Sequence, residues 1–137
     1  MKKEQTYIKG RGAQINTPNR FHEAISERDP RADLDSDQQL KTSYIPVHPK
    51  TIVNKIPSPD IPTDFGINPY QGCEHGCIYC YARNTHSFWG YSAGTDFETK
   101  ILVKYEAPEL LRKKLQSKNW KASPIMLSGN TDCYQPI

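Results

Sequence analysis

Apolar residues are unevenly distributed along the chain, with 17 in positions 1–60 and 32 in positions 61–137. Eight of the eleven prolines precede residue 70, and each fixes its own φ and disfavours helix at the residue before it. We therefore expect residues 1–64 to form an irregular, polar, Pro-rich extension. The core must come mainly from residues 65–137.

The second half has the pattern of regular elements. Pro108 suits the first position of a helix, Glu109 favours its positive end, and Leu111 and Leu115 stack one turn apart. With Leu110 and Trp120 they form an inward stripe opposite a solvated basic face. The other predicted elements are a strand at residues 65–68, a helical turn or two from Tyr79 to about His86, a break at residues 90–95, a buried strand at residues 100–104 and a strand at residues 125–128.

This order of strand, loop, strand, helix and strand begins an α/β pattern, in which residues 105–123 supply a crossover between parallel strands. A complete α/β barrel takes roughly 250 residues, and this chain has 137. We expect a partial (β/α) barrel that is truncated at its C-terminus.

Composition narrows the class of protein. The net charge of +3 is too small to imply a polyanionic partner. The longest apolar runs are triplets such as residues 101–103, far short of a membrane span, and no apolar stretch follows Met1-Lys2-Lys3 as in a signal peptide. We expect a soluble, cytoplasmic chain of one modest domain without a membrane partner.

Three of the four cysteines fall within eight residues, as Cys73, Cys77 and Cys80 in a C-x3-C-x2-C spacing. In a reducing cytosol, thiols clustered in this way bind metal more often than they form disulfides. Gly72 and Gly76 give the backbone the freedom to wrap around a centre. Three ligands would leave one iron of a 4Fe-4S cluster open for a small molecule, which favours chemistry over storage.

Other interpretations remain open. The three thiols could hold a structural zinc with His75, His86 or Cys133 in a non-catalytic binding module, although the chain has no second knuckle, or they could form an inert or redox-sensing cluster. The chain could also be a truncated fragment of an enzyme that is inactive alone. The extension carries +4 over residues 1–20 and −4 over residues 21–40, so it is either a solvated arm or an arm that packs over a partner or substrate.

The cysteine motif resembles that of the radical S-adenosylmethionine (SAM) enzymes, whose last cysteine follows an aromatic residue, here Tyr79. The wider segment at residues 68–83 is similar to the subgroup related to spore photoproduct lyase, a DNA-repair lyase. Further stretches resemble bacterial members of this subgroup, namely Arg11-Gly12-Ala13, Asn19-Arg20-Phe21, Ser58-Pro59-Asp60 and Thr131-Asp132-Cys133-Tyr134-Gln135-Pro136.

This resemblance implies a lyase-like radical SAM enzyme in which Cys73, Cys77 and Cys80 ligate a 4Fe-4S cluster. The unique iron would be chelated by the amino and carboxylate groups of SAM, and reductive cleavage would yield methionine and a 5′-deoxyadenosyl radical. The implied partners are a flavodoxin- or ferredoxin-type electron donor and, as substrate class, DNA. Residues that act on the substrate, and the oligomeric state, are not identified.

The resemblance also places SAM near the end of the second barrel strand. The matching positions offer a glycine and several polar acceptors, and with Tyr79 they form the predicted cofactor contacts: Ser128, Gly129, Asn130, Thr131 and Asp132. These residues depart from the Gly-Gly-Glu sequence common in the superfamily, and they are equally typical of an ordinary turn-rich loop in which Asp132 caps a following helix.

The remaining candidates have two interpretations each. Arg83 could contact the SAM carboxylate or pair with an acid, and Phe88 and Trp89 could shield the cofactors or belong to the core. His75, which lies between two predicted ligands in the sequence, could contact the cluster without ligating it or face solvent, and Cys133 is expected to be a small buried residue. The basic stretches at residues 9–11 and 112–114 give only a weak signal for phosphate contacts.

Replacement of one predicted ligand tests the cluster hypothesis directly. Cys77→Ala is expected to abolish iron binding, because two thiolates cannot hold the cluster, whereas Cys133→Ala should leave the iron content unchanged. Iron retained by Cys77→Ala after anaerobic reconstitution would contradict the hypothesis.

Overall fold

The computed structural model of the chain describes residues 7–21 and 40–137. Most of the acidic stretch of the extension lies outside these residues, so its charge segregation stays a prediction. The regular elements are β1 (Ser43–Pro46), β2 (Val53–Lys55), β3 (Phe65–Ile67), β4 (Tyr70–Gln71), a 3₁₀ helix (Tyr81–Trp89), α1 (Thr95–Thr99), β5 (Lys100–Val103), α2 (Ala107–Leu115) and β6 (Ile125–Leu127).

The chain divides into two compact units, each built from two separate stretches. Unit 1 comprises the described residues of Met1–Ser43 together with Gly72–Ile101. Unit 2 comprises Tyr44–Gln71 together with Leu102–Ile137. The predicted cysteine ligands therefore belong to unit 1, and the predicted SAM loop belongs to unit 2.

Six strands form two three-stranded sheets in the described part of the chain, with the orders β1-β5-β4 and β2-β3-β6. In the second sheet, β2 pairs with β3 antiparallel, with Val53 opposite Ile67, and β3 pairs with β6 parallel, with Phe65 opposite Ile125. β4 and β5 pair antiparallel. The fold is thus mixed α/β with small sheets, not a closed barrel.

The core of unit 2 follows from the apolar pattern. Ile52, Val53 and Ile67 are buried, and the partly buried residues that pack against them are Phe65, Ala107, Leu110, Leu111, Trp120 and Ile125. The rings of Phe65 and Trp120 lie 5.0 Å apart. The predicted stripe of α2 is wrong at one position, because Leu115 is 45% exposed at the C-terminal end of the helix.

The strands predicted at β3, β5 and β6 are present with bounds within one residue, and the helix predicted at α2 is present but ends at Leu115, five residues before Trp120. The crossover expectation is wrong, because residues 105–123 do not join two parallel neighbours: β6 lies beside β3 whereas β5 belongs to the other sheet. The described part of the extension contains two short strands, β1 and β2, whose sheet partners local proline content does not reveal.

Truncating the core of unit 2 should destabilise the fold. Ile52 is 1% exposed, so Ile52→Ala is expected to lower the free energy of unfolding by about 2–5 kcal/mol through lost burial and the cavity left behind. Leu115→Ala, at an exposed position of the same unit, is the control and should change it by less than about 0.5 kcal/mol. Urea unfolding followed by circular dichroism measures both values, and equal losses would contradict this description of the core.

Candidate functional site

The cysteine loop, residues 72–80, leads into the 3₁₀ helix through turns at residues 74–75 and 78–79. All four cysteines of the chain are thiols rather than disulfides. Cys77 is exposed, and Cys73 and Cys80 are half-buried. The three predicted ligands are therefore accessible side chains on irregular backbone.

The loop is held to unit 1 by backbone hydrogen bonds. The Cys73 N–H donates to the carbonyl of Phe97 over 2.9 Å, and the Cys80 N–H donates to the carbonyl of Cys77 over 3.3 Å. Gly76 has φ of +67°, a left-handed conformation that glycine adopts without strain. Gly76 thus supplies a turn that other residues would make only with strain, and its role in wrapping the loop around a centre stays a prediction.

In the two described ranges, no three His, Cys, Asp or Glu side chains lie close enough together to hold a metal ion. The three thiols share one loop but do not converge in this conformation. Their chemistry fits an iron–sulfur cluster, for which thiolates are the usual ligands. Binding one centre through all three thiols requires their side chains or the turns between them to move, and exposed turns are the segments in which such movement is easiest.

The aromatic residues near the loop are exposed. Tyr79, predicted to contact a cofactor, is 86% exposed, and no contact tests that role. Phe88 and Trp89 do not belong to a core, since both are exposed. The ring of Phe88 lies 5.2 Å from that of Phe21, and the guanidinium of Arg20 lies 4.8 Å from the Phe21 ring centre. These contacts form a small surface cluster.

Unit 1 is organised around a carboxylate that the sequence did not single out. Glu98 lies on α1 and is fully buried. Its oxygens accept hydrogen bonds from the backbone N–H of Gly12 at 3.2 Å, the backbone N–H of Ala13 at 2.8 Å and the guanidinium of Arg83 at 2.5 Å. A buried carboxylate requires such donors, because an unpaired buried charge is strongly unfavourable.

Arg83 links this carboxylate to the cysteine loop. Its Nη2 donates both to Glu98 and to the carbonyl oxygen of Cys77, the latter over 2.9 Å. Its guanidinium also lies 5.4 Å from the ring centre of Phe97. Of the two interpretations of Arg83, pairing with an acid is therefore confirmed.

Arg11 is similarly engaged and is not displayed for phosphate contacts. Its guanidinium donates to the carbonyls of Glu98 and Leu40 over 2.9 and 2.8 Å and to the hydroxyl of Thr42 over 3.0 Å. It also lies 3.6 Å from the carboxylate of Glu74. Its side chain is 9% exposed, so its role is structural within unit 1.

Residues 11–19, which we call the strap, are held to the rest of unit 1 by a second set of hydrogen bonds. The amide of Asn16 donates to Asp96 and accepts from the Thr95 hydroxyl and the Asp96 N–H over 2.8–3.1 Å. The amide of Asn19 donates to the carbonyls of Ser87 and Tyr91, each over 3.1 Å. The strap thus belongs to the unit that carries the cysteines.

His86 is the other fully buried polar residue near the loop. Its ring lies 5.3 Å from that of Tyr91 and 5.5 Å from that of Phe97, and neither ring nitrogen has a hydrogen-bond partner in the described chain. Burial lowers the pKa of His86 to about 4, a shift that the negative charge of Asp96 opposes and the positive charge of Lys100 reinforces. The imidazole is neutral at pH 7.

The predicted SAM loop lies in unit 2, directly after β6. Ser128 has φ of +64°, which is rare for a residue other than glycine, and its hydroxyl is buried without a hydrogen-bond partner among the described residues. Such strain is retained where the surroundings fix it and occurs often at functional sites. Ser128 is thus the most distinctive residue of this loop.

The neighbouring residues tie this loop to the end of β3. The Asn130 N–H donates to the side chain of Asn68 over 3.0 Å, and the Thr131 hydroxyl donates to the carbonyl of Tyr70 over 2.9 Å. The ammonium of Lys104 donates to the carbonyl of Asn68 over 2.7 Å, and burial lowers its pKa. Sequence analysis missed Lys104, which ends a buried apolar run and carries no pattern of its own.

The remaining candidates of the sequence analysis divide as follows. Asp132 is exposed and accepts the Tyr134 N–H over 2.8 Å, which closes a local turn. His75 is exposed, whereas Cys133 is half-buried rather than fully buried. Gly129 is half-buried. A cofactor role for Gly129 and Asp132 stays a prediction.

Among residues 7–21 and 40–137, no helix has the length and apolar content needed to cross a membrane. No family model matches the chain, and no solved structure matches it.

The chain is similar to uncharacterized proteins of Mycobacterium tuberculosis and Mycobacterium bovis, with 39% identity over 87 residues that cover 63% of this chain and 26% of each relative. It is also 31% identical over 100 residues to an uncharacterized protein of Methanocaldococcus jannaschii, covering 71% of this chain and 34% of that protein. The chain therefore spans about a quarter to a third of the length of these relatives.

The buried histidine generates a pH prediction. The pKa of His86 is about 4 in the folded chain against 6.5 for the ordinary side chain, so below pH 6.5 the unfolded chain binds a proton that the folded chain does not. Stability should therefore fall as the pH drops from 6.5 to 4, by about 2 kcal/mol between pH 7 and pH 5. Urea unfolding of iron-free protein at both pH values measures this, and His86→Phe should be less pH-dependent by that amount. Equal pH dependence in the two proteins would contradict the prediction.

Proposed function

We propose that this chain is the cluster-binding part of a radical SAM enzyme, in which Cys73, Cys77 and Cys80 hold a 4Fe-4S cluster. The observation that carries the proposal is the set of three accessible thiols, none in a disulfide, on one turn-rich loop with C-x3-C-x2-C spacing. A thiolate set of this kind suits iron–sulfur ligation, and three ligands leave one iron without a protein ligand.

The proposed role of the chain is to hold and orient. When bound, the cluster supplies the electron for reductive cleavage of SAM to methionine and a 5′-deoxyadenosyl radical. The half-buried Cys73 and Cys80 would bind the cluster on the side that faces the protein, and the exposed Cys77 would bind it on the side that faces solvent. Tyr79, exposed beside the last ligand, would cover bound cofactor by a change in its side-chain position.

For SAM itself, we propose contacts from residues 128–132. The buried, unpartnered hydroxyl of Ser128 supports this assignment, because a polar group of this kind gains a hydrogen bond when a ligand arrives. The parallel pair of β3 and β6 also suits the first two strands of a (β/α) barrel, with the loop at the carboxyl end of the second.

The wider activity rests on the resemblance to the subgroup related to spore photoproduct lyase. We propose a lyase-like reaction on DNA, with a flavodoxin- or ferredoxin-type protein as electron donor and the cytoplasm, where thiols stay reduced, as the compartment. The competing class is a non-catalytic zinc or iron–sulfur binding module that uses the same thiols.

Anaerobic reconstitution with iron and sulfide tests the proposal. We expect about four irons per chain, an EPR signal of the dithionite-reduced protein that SAM perturbs, and 5′-deoxyadenosine when SAM and reductant are present. Stoichiometric zinc and no iron would favour the binding module. Iron loading without nucleoside would assign cleavage to residues beyond those of this chain.

A further inference from the structure

We infer that Glu98 is a positioning residue for the cluster loop and that it acts through two separate contacts, one on the backbone carbonyl of Gly76 and one on that of Cys77. The inference rests on the proposed function, because it assigns a role toward the iron centre. It extends that proposal beyond the cysteine motif, since Glu98 lies 18 positions after Cys80.

The first contact runs through Arg83. One nitrogen of its guanidinium donates to the carboxylate of Glu98 at 2.5 Å and to the carbonyl oxygen of Cys77 at 2.9 Å. The Arg83 side chain is 14% exposed and that of Glu98 is fully buried. Because the carboxylate fixes the guanidinium, it also fixes the direction in which the Cys77 carbonyl is held.

The second contact runs through the strap. The Gly12 N–H donates to the other oxygen of Glu98 over 3.2 Å, and this hydrogen bond holds Gly12 close to the cysteine loop. A Cβ added to Gly12 would lie 1.9 Å from the carbonyl oxygen of Gly76, so only glycine fits there without displacing the loop. The same carboxylate thus limits the loop from two sides, at the residue before the middle cysteine and at that cysteine.

Glu98, Arg83 and Gly12 would support the proposed metal ligands through hydrogen bonds and packing without binding the metal themselves. Hydrogen bonds that orient the ligand-bearing backbone tune how firmly the centre is held, even though they do not touch the metal. Glu98→Gln keeps the size of the side chain but replaces one acceptor oxygen with a donor amide, which faces N–H donors only. The loop would lose one of its two restraints while the chain keeps its core.

The experiment compares iron release in reconstituted full-length chains. Glu98→Gln is expected to load iron and then lose it to a chelator about 10- to 100-fold faster than the wild type, with an altered EPR line shape in the reduced state. Arg83→Lys should behave in the same way, because it keeps the charge but places its nitrogen one bond closer to the backbone, too short to reach both Glu98 and the Cys77 carbonyl. It also decides the case if Glu98→Gln does not fold.

The matched control is Asp96→Asn. Asp96 is buried on the same helix and binds Asn16 and Ser92, so its replacement weakens the strap without a contact to Gly76 or Cys77. Asp96→Asn should release iron at the wild-type rate and keep the wild-type EPR line shape. Urea unfolding reports the stability of all variants.

The possible outcomes distinguish the positioning role from the proposed function. A wild type that binds no iron overturns the proposed function and this inference together. A loaded wild type with Glu98→Gln and Arg83→Lys indistinguishable from it overturns only the positioning role. The positioning role is also overturned if iron release rises in Asp96→Asn as much as in Glu98→Gln, because loss of stability would then explain both.

Discussion

The buried carboxylate of Glu98 is the constraint on which unit 1 depends. A charge removed from water is tolerated only when donors surround it, and here the donors come from the strap and from the 3₁₀ helix. Segments distant in sequence are therefore brought together by the needs of one side chain. The cysteine loop contacts both the strap and the 3₁₀ helix. Its backbone is therefore positioned by the hydrogen bonds that the buried charge of Glu98 requires, and not by regular secondary structure.

Unit 2 reaches a similar result by different means. Its apolar core fixes β3 and β6 side by side, and parallel strands place their carboxyl ends at the same edge. Asn68 and the loop after β6 meet there, joined by the hydrogen bond from the Asn130 N–H. The strained backbone of Ser128 is held at this edge by the hydrogen bond from its N–H to the carbonyl of Ile67 over 2.8 Å. In unit 2 the position of the polar loop after β6 thus depends on the apolar core that holds β3 beside β6.

The parts of the fold that could be predicted are those whose signal is local. The strand at β5 is a compact apolar run, and α2 carries its proline, its charges and its apolar stripe within a dozen residues. β1 was missed because its sheet partner, β5, lies far along the chain, and β2 was missed because its pairing with β3 spans a proline-rich stretch. α1 was missed because a five-residue polar helix has no apolar period, and its burial follows from the contacts of Glu98 and Asp96.

The candidate site divides along the same line. The three cysteines are recognisable from their spacing, whereas the surroundings of the loop depend on pairs such as Gly12 and Glu98, which are 86 positions apart. Each unit is also assembled from two stretches of chain with the other unit's residues between them. Folding must therefore close long loops before either unit gains its contacts, which slows the search and gives little stability to partial structures. A peptide that contains only the cysteine motif would carry the three thiols but would lack Glu98, whose carboxylate positions their loop. The smallest piece of the protein that keeps this site must therefore combine segments that are far apart in the sequence.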